Sequence, residues 1–358
     1  MRVALLRIEG CRIGLRVAED VYNKNNAMII PKDYVITERV LKVIRANAVE
    51  RIKVYLEKDE KSEFEVFDDS EYSNQEALLK AIKEYKDKRV SSIIKVEEVF
   101  FDVSKGKPIK KSSLDEISTS LKQPFDTKLI PYINSLNVSD NYTLEHTMNV
   151  ATLALIFAKW LNLDNQKADD FVRAALLHDI GRTKVNQNIL GKPGKLTQNE
   201  YEQIKQHVVF SYRMIQDTDD LSKDVKLGVL MHHERNDGSG YPLGAKYAQI
   251  HEFGKMLAII DTYDAMTTDR AYQSRMFALG VLDELYHSSF GKLEYAYVNV
   301  FITKMLTYYT GCTVRLNTGE IGSIVHIDVK NVTKPIIKID CSLVDLKEEL
   351  DLEIEEFI

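Results

Sequence analysis

Cysteine is scarce and scattered. Cys11, Cys312 and Cys341 are the only three in 358 residues, and no Cys-x-x-Cys pair occurs. That excludes a zinc ribbon and a disulfide framework and implies reduced thiols. An excess of basic charge is also missing: 48 Lys and Arg face 54 Asp and Glu, for a net charge of −6, and the pI is near 5.8. Such a balance leaves no electrostatic footprint for nucleic acid or an anionic membrane. Apolar runs such as Met256 to Ile260 fall far short of the ~20 residues needed to span a bilayer. The stretch Met1 to Arg7 carries a short apolar run followed by charge, unlike a secretory signal. These absences together imply a cytoplasmic location and no membrane span. Tryptophan occurs once and no internal repeat is visible. With 44% hydrophobic and 28% charged residues, the chain has material for a substantial core in two or three domains.

The patterns that are present divide the chain into four segments and give a mainly α fold class. Residues 1–56 read as a small N-terminal α+β module, with strand-like runs at Val3 to Leu6, Gly14 to Ala18, Ala27 to Ile30 and Ile52 to Leu56. Thr37 caps a helix within it that reaches Arg45. Residues 57–135 begin with an acidic run, Glu57 to Glu71, read as a solvated linker. Connector helices follow, broken at Lys105-Gly-Lys-Pro. Such helices suit packing on the next domain, a homodimer contact, or a regulatory protein partner working through residues 1–135. Residues 136–310 read as nearly all helix. Asp140 or Ser139 is expected to cap the first helix, Gly181 to end the second, and Thr197 with Glu200 to form a capping box on a third. Residues 311–358 alternate in the manner of strands and form a small C-terminal β appendage.

Histidine is also scarce, but it is not scattered. Of eight in the chain, five lie between His146 and His233. A lone histidine on an apolar helix face is ordinarily a core residue, and His251, His287 and His326 are given that reading. The others fall into a pattern: His146, the doublet His178-Asp179, His207, the doublet His232-His233, and then Asp261. Apolar neighbours at helical spacing turn each inward, which is how a helical domain builds a metal site in its core. A mixed imidazole and carboxylate set suits iron, manganese or zinc better than calcium or magnesium. Seven side chains are too many for one open catalytic centre and about right for two ions.

The strings around these residues are specific: His178-Asp-Ile-Gly-Arg182, Leu190-Gly-Lys-Pro-Gly-Lys-Leu-Thr197, His232-His-Glu-Arg-Asn-Asp-Gly-Ser-Gly-Tyr-Pro242, Asp261-Thr-Tyr-Asp-Ala-Met266 and Arg270-Ala-Tyr272. In this order they resemble the HD-GYP family of bacterial cyclic di-GMP phosphodiesterases, within the HD superfamily of metal-dependent phosphohydrolases. The resemblance covers residues 136–310 and implies an HD-type helical core. It implies hydrolysis of cyclic di-GMP to linear pGpG, and onward to GMP, by a hydroxide held between two divalent ions, iron or manganese. The metal residues carry over as His146, His178, Asp179, His207, His232, His233 and Asp261, with Asp179 as the bridge. Asp179 and Arg182 carry the catalytic roles. Arg182, Gly240, Tyr241, Asp264 and Arg270 carry the substrate contacts. Arg182 replaces the lysine usual in the family and keeps its charge, while Gln273 departs from a position where relatives often have a cation. Tyr142 stands where a minority of relatives place a glutamate for a third metal, which favours two ions. Two other readings stay open: a weakly active cyclic-dinucleotide sensor, and a phosphodiesterase preferring another cyclic dinucleotide.

Overall fold

The computed structural model describes residues 2–8, 11–22, 28–47, 49, 51–56, 69–122, 127–268, 276–340 and 342–358. They divide into two compact units, residues 1–80 and 81–358.

In the first unit, β1 (Arg2–Arg7), β2 (Arg16–Val17), β3 (Val21–Tyr22), β4 (Met28–Ile30), α1 (Glu38–Ala46) and β5 (Arg51–Leu56) follow one another. β5 lies between β1 and β2 in one antiparallel sheet, and β3 pairs with β4 in a second. Period-2 alternation sends Ile52 and Val54 inward, where they meet Leu6, Val17, Ile36 and Ile44. Thr37 caps α1 as expected, its hydroxyl accepting from the Val40 amide at 3.3 Å. The pair β3–β4 was visible in sequence only at β4. Most of the acidic run, residues 57–68, lies outside the described residues. Its last members, Asp69 to Glu71, open the helix α2 (Asp69–Ser104) rather than belonging to a loop.

The second unit takes in α2 from Ala81 onward and α3 (Lys111–Leu121), then a 3-10 segment over Thr127–Leu136. The helices α4 (Tyr142–Trp160), α5 (Asn165–Leu177), α6 (Gln187–Leu190), α7 (Gln198–Ile215), α8 (Lys223–Met231), α9 (Glu252–Thr267), α10 (Ala278–Ser288) and α11 (Tyr295–Tyr309) form the core, with a 3-10 turn at Ile180–Lys184 after α5. α4 is buried on every side from Leu144 to Ala158, with α5, α9 and α11 packed on it. Its cap is Asn141, whose side chain accepts from the amides of Thr143 and Leu144. The helix starts later than expected because Ser139 is spent on the preceding turn, accepting from the Asn141 amide at 3.1 Å. The capping box of α7 forms as expected. β6 (Thr313–Leu316), β7 (Ile321–His326), β8 (Ile336–Ile339), β9 (Ser342–Asp345) and β10 (Ile354–Phe357) close the chain as one antiparallel sheet ordered β10-β6-β7-β8-β9. Phe357 anchors that sheet on the helices, against Phe277 at 4.7 Å and Tyr309 at 5.0 Å. Among the described residues no helix is long and apolar enough to cross a membrane.

Gly181 has a different role from the helix stop expected of it. α5 ends four residues earlier, and Gly181 lies inside the 3-10 turn, pressed against α7. A Cβ there would fall 2.1 Å from the His207 carbonyl oxygen and 2.4 Å from the Ser211 amide. The missing side chain lets Ser211 tie the two segments together: its hydroxyl accepts from the Gly181 amide and donates to the His178 carbonyl, both at 2.8 Å. Gly181→Ala should therefore cost roughly 1–3 kcal/mol, the usual range for overpacking. Thermal unfolding checks it, and an unchanged midpoint would show that the turn and α7 separate freely.

Candidate metal centre

The seven chelating residues come from five helices and converge. His146 lies in the second turn of α4, His207 midway along α7, and Asp261 on α9. The two doublets sit at helix ends: α5 stops at Leu177 and α8 at Met231, with His178 and His232 as their C-caps. Asp179 and His233 thus follow the helices, and Asp179 has left helical geometry. Each doublet therefore straddles a helix end, where the chain turns. All are buried except His233, which is half-buried.

Three imidazoles are held in the same way. His178 Nδ1 faces the Ala175 carbonyl, His207 Nδ1 that of Ile204, and His232 Nδ1 that of Val229, each at 2.7 Å and three residues back. A carbonyl only accepts, so Nδ1 carries the proton in each, and Nε2 keeps its lone pair for the centre. His146 is held by a carboxylate instead, its Nδ1 2.7 Å from Asp264 Oδ2.

These lone pairs assemble into two clusters, one of His146, His178 and Asp179 and the other of His207, His232 and His233, with donor atoms in each within 4.8 Å of one another. Asp179 spans both. Its Oδ2 is 3.5 Å from Nε2 of His146 and of His178, and its Oδ1 is 3.1 Å from His207 Nε2. Asp261 spans them too, with Oδ1 3.0 Å from His146 Nε2 and Oδ2 3.7 Å from His233 Nδ1.

Electrostatics readies the set for a cation. Burial pulls the His178, His232 and His233 imidazoles down, His232 to about 3, so these stay neutral ligands at physiological pH. Burial also pulls on His146, but the Asp261 and Asp264 carboxylates outweigh it and raise that imidazole to about 9. For Asp179 and Asp261 burial works upward and loses to neighbouring cations and imidazoles, Arg182 foremost for Asp179, so both carboxyls lie well below their usual range. Both Asp179 oxygens, His207 Nε2 and His232 Nε2 are buried without a hydrogen-bond partner among the described residues. Arg182 Nε is 2.6 Å from Asp179 Oδ2, close enough for charge but not aligned for a hydrogen bond. Buried acceptors left this way are costly unless something electropositive meets them. The donor set fits divalent metal.

The residues expected to hold substrate part ways. Arg182 is buried against Asp179. Tyr241 covers the centre, its ring 4.7 Å from that of His233 and its amide donating to the His233 carbonyl at 3.2 Å. Gly240 is needed beneath it, because a Cβ would come within 2.5 Å of Arg235 N and the His233 carbonyl oxygen. Asp264, expected among the substrate contacts, is fully buried behind His146 with its carboxylate on that ligand's Nδ1. Arg270 and Gln273 lie outside the described residues. Sequence reasoning missed Glu234, the third residue of the His-His-Glu string. Its buried carboxylate accepts from the amides of Leu243 at 2.6 Å and Ala245 at 2.9 Å and fixes the loop. It also missed Lys205, whose ammonium lies 5.4 Å above the Tyr241 ring. His251 has the structural place expected of it, as the cap of α9.

Residues 132–289 match the family model described as HD domain, a segment that contains all seven residues of the centre. Among curated proteins, the chain is similar to a cyclic di-GMP phosphodiesterase of Pseudomonas aeruginosa, 34% identical over 227 residues, covering 63% of this chain and 54% of that protein. It is also similar to the cyclic di-GMP phosphodiesterase PdeB of Borreliella burgdorferi, 30% identical over 208 residues, covering 58% of this chain and 55% of that one. A 3'3'-cGAMP-specific phosphodiesterase of Vibrio cholerae is 33% identical over 177 residues, 49% of this chain and 41% of the relative. The chain spans about half the length of the curated relatives it matches.

The raised His146 imidazole gives a test of the centre. Without metal it holds a proton up to about pH 9, whereas a coordinating imidazole is neutral. Cation uptake should expel that proton. Apparent affinity should climb as pH rises from neutrality toward about 9 and level off above it. Calorimetry with Mn2+ in buffers of differing ionisation enthalpy counts the protons, and none released at neutral pH would contradict the assignment.

Proposed function

We propose that this chain is a metal-dependent phosphodiesterase that opens cyclic di-GMP to linear pGpG, with onward cleavage to GMP as the same reaction repeated. The observation that carries the reading is the position of Asp179, one oxygen toward the His146–His178 cluster and the other toward His207. That position suits a carboxylate shared by two ions, and the names of the relatives supply the substrate class. We place the first ion with His146, His178, Asp179 and Asp261, the second with His207, His232, His233 and Asp179, and favour iron or manganese for both. Two ions are favoured over three because, among the described residues beside His146, Tyr142 stacks on its ring and the Glu145 carboxylate is held by Arg89. The four segments 1–56, 57–135, 136–310 and 311–358 are proposed as the modules of the chain.

Bound there, divalent ions supply Lewis acidity, lowering the pKa of an attacking water and neutralising phosphodiester oxygens. The protein side of the chemistry is orientation. The tautomers of His178, His207 and His232 are fixed by carbonyls, so these three imidazoles need not turn as substrate arrives. Arg182 keeps its charge at every working pH and can turn part of its guanidinium fork from Asp179 toward a phosphate oxygen. Tyr241 stays protonated, since burial pushes its hydroxyl far up; it donates to substrate at the lip and screens His233 from water. A 3'3'-cyclic GMP-AMP substrate is the second reading, favoured by the Vibrio cholerae relative.

Asp179→Asn should cut turnover of cyclic di-GMP by more than about 100-fold, beyond the range typical of residues that only support a ligand, and should lower metal content with it. Product chromatography on cyclic di-GMP and 3'3'-cyclic GMP-AMP, beside elemental analysis, reads both. An Asp179→Asn protein with full metal and full activity would overturn the assignment.

A further inference from the structure

Glu145 precedes His146 on α4, yet its side chain turns away from the metal centre into a second buried polar system. Arg89 of α2 meets it there with a fully buried guanidinium, Nη2 2.7 Å and Nε 3.1 Å from Glu145 Oε2. The same Nη2 donates to Asn149 Oδ1 at 2.7 Å and to the Glu145 carbonyl at 3.2 Å. The other carboxylate oxygen of Glu145 accepts from the amides of Val138 and Ser139 at 2.7 and 2.6 Å. From Asn149 the system continues to Asn134 at 3.2 Å, whose amide donates to the Thr267 carbonyl at 2.9 Å. Thr268 donates back to Asn134 at 3.0 Å.

These contacts close a ring. Thr267 ends α9, the helix that carries Asp261 and Asp264, and Asp264 holds His146, the neighbour of Glu145 on α4. The ring's helices α4 and α9 carry His146 and Asp261, the latter closer to His146 Nε2 at 3.0 Å than to His233 Nδ1 at 3.7 Å. His207, His232 and His233 belong to α7 and α8, which take no part in it. Arg89 supplies the positive charge, and removing it alone would strand a buried carboxylate.

We propose that Arg89 is a positioning residue for the His146–Asp261 half of the metal centre, so that α2, docked on α4, sets the cation affinity of that half and not of the other. The connector helix thereby becomes a control element, since a shift of α2 that withdraws Arg89 loosens one ion selectively. The proposal rests on the two-ion reading above.

The test uses the full chain stripped of metal, titrated with Mn2+ by calorimetry and followed by thermal unfolding. Wild type should take up two equivalents. Arg89→Met should bind one equivalent about 10- to 100-fold more weakly, as for loss of groups that orient a ligand, and leave the other unchanged. Glu145→Gln added to Arg89→Met removes the stranded charge. This double variant should regain thermal stability and still bind the one equivalent weakly, a pattern general destabilisation cannot give. Two equivalents of wild-type affinity in either variant would overturn the proposal while leaving the two-ion reading intact. So would both equivalents weakening together with the unfolding midpoint, or recovery of both in the double variant. Wild type taking up a single equivalent would instead fail the two-ion reading, and the selective role of Arg89 with it.

Discussion

Keeping the Asp179 carboxylate charged where water cannot reach it is the constraint to which the surrounding helices answer. A buried anion is expensive unless cations or donors meet it. Arg182 brings one positive charge from the turn that follows, while His178 and His207 face Asp179 with Nε2 lone pairs and leave the rest of the need to a cation. The close approach of that turn to α7 depends on Gly181 having no side chain, and the Ser211 hydroxyl holds it there. A local requirement of charge has thus fixed the packing of two chain segments. Asp261 meets the same requirement from α9, opposite His146.

The loop after α8 shows how the rim is fastened to the centre. Glu234, one residue past the His232-His233 doublet, holds the loop by two backbone amides, and Gly240 lets the chain return against the doublet itself. Tyr241 therefore lies against a ligand's ring and bonds to that ligand's own carbonyl. Rim and metal cannot shift independently, which suits a site where a phosphate must meet ions and side chains in a single geometry.

Much of this was legible in the sequence. Histidine is rare in the chain, and the rare residues fell on inward positions beside apolar neighbours, so the ligand set followed from periodicity and spacing. Thr37 and Thr197 were readable as caps because a cap is settled within four residues. Features that depend on partners distant in sequence were harder to see. Asp264 reads as a substrate contact until the fold places His146 in front of it. Gly181 resembles a helix stop and is a contact surface for α7. Asn141 caps α4 in place of its neighbours because Ser139 was claimed by the turn. The strands β3, β9 and β10 are short, and tertiary pairing more than alternation defines them.

The backbone anchors of His178 and His232 have a consequence for the helices that end at them. Ala175 and Val229 lie in the last turns of α5 and α8, where carbonyls have no intrahelical donor to meet them. The imidazole protons fill that need, so each ligand also stops its own helix from fraying. The Nε2 lone pair turned to the centre and the Nδ1 proton that finishes a helix therefore sit on the same two side chains. Neither histidine could be replaced without cost even if nothing bound at the centre, because α5 and α8 would each lose the donor that finishes them.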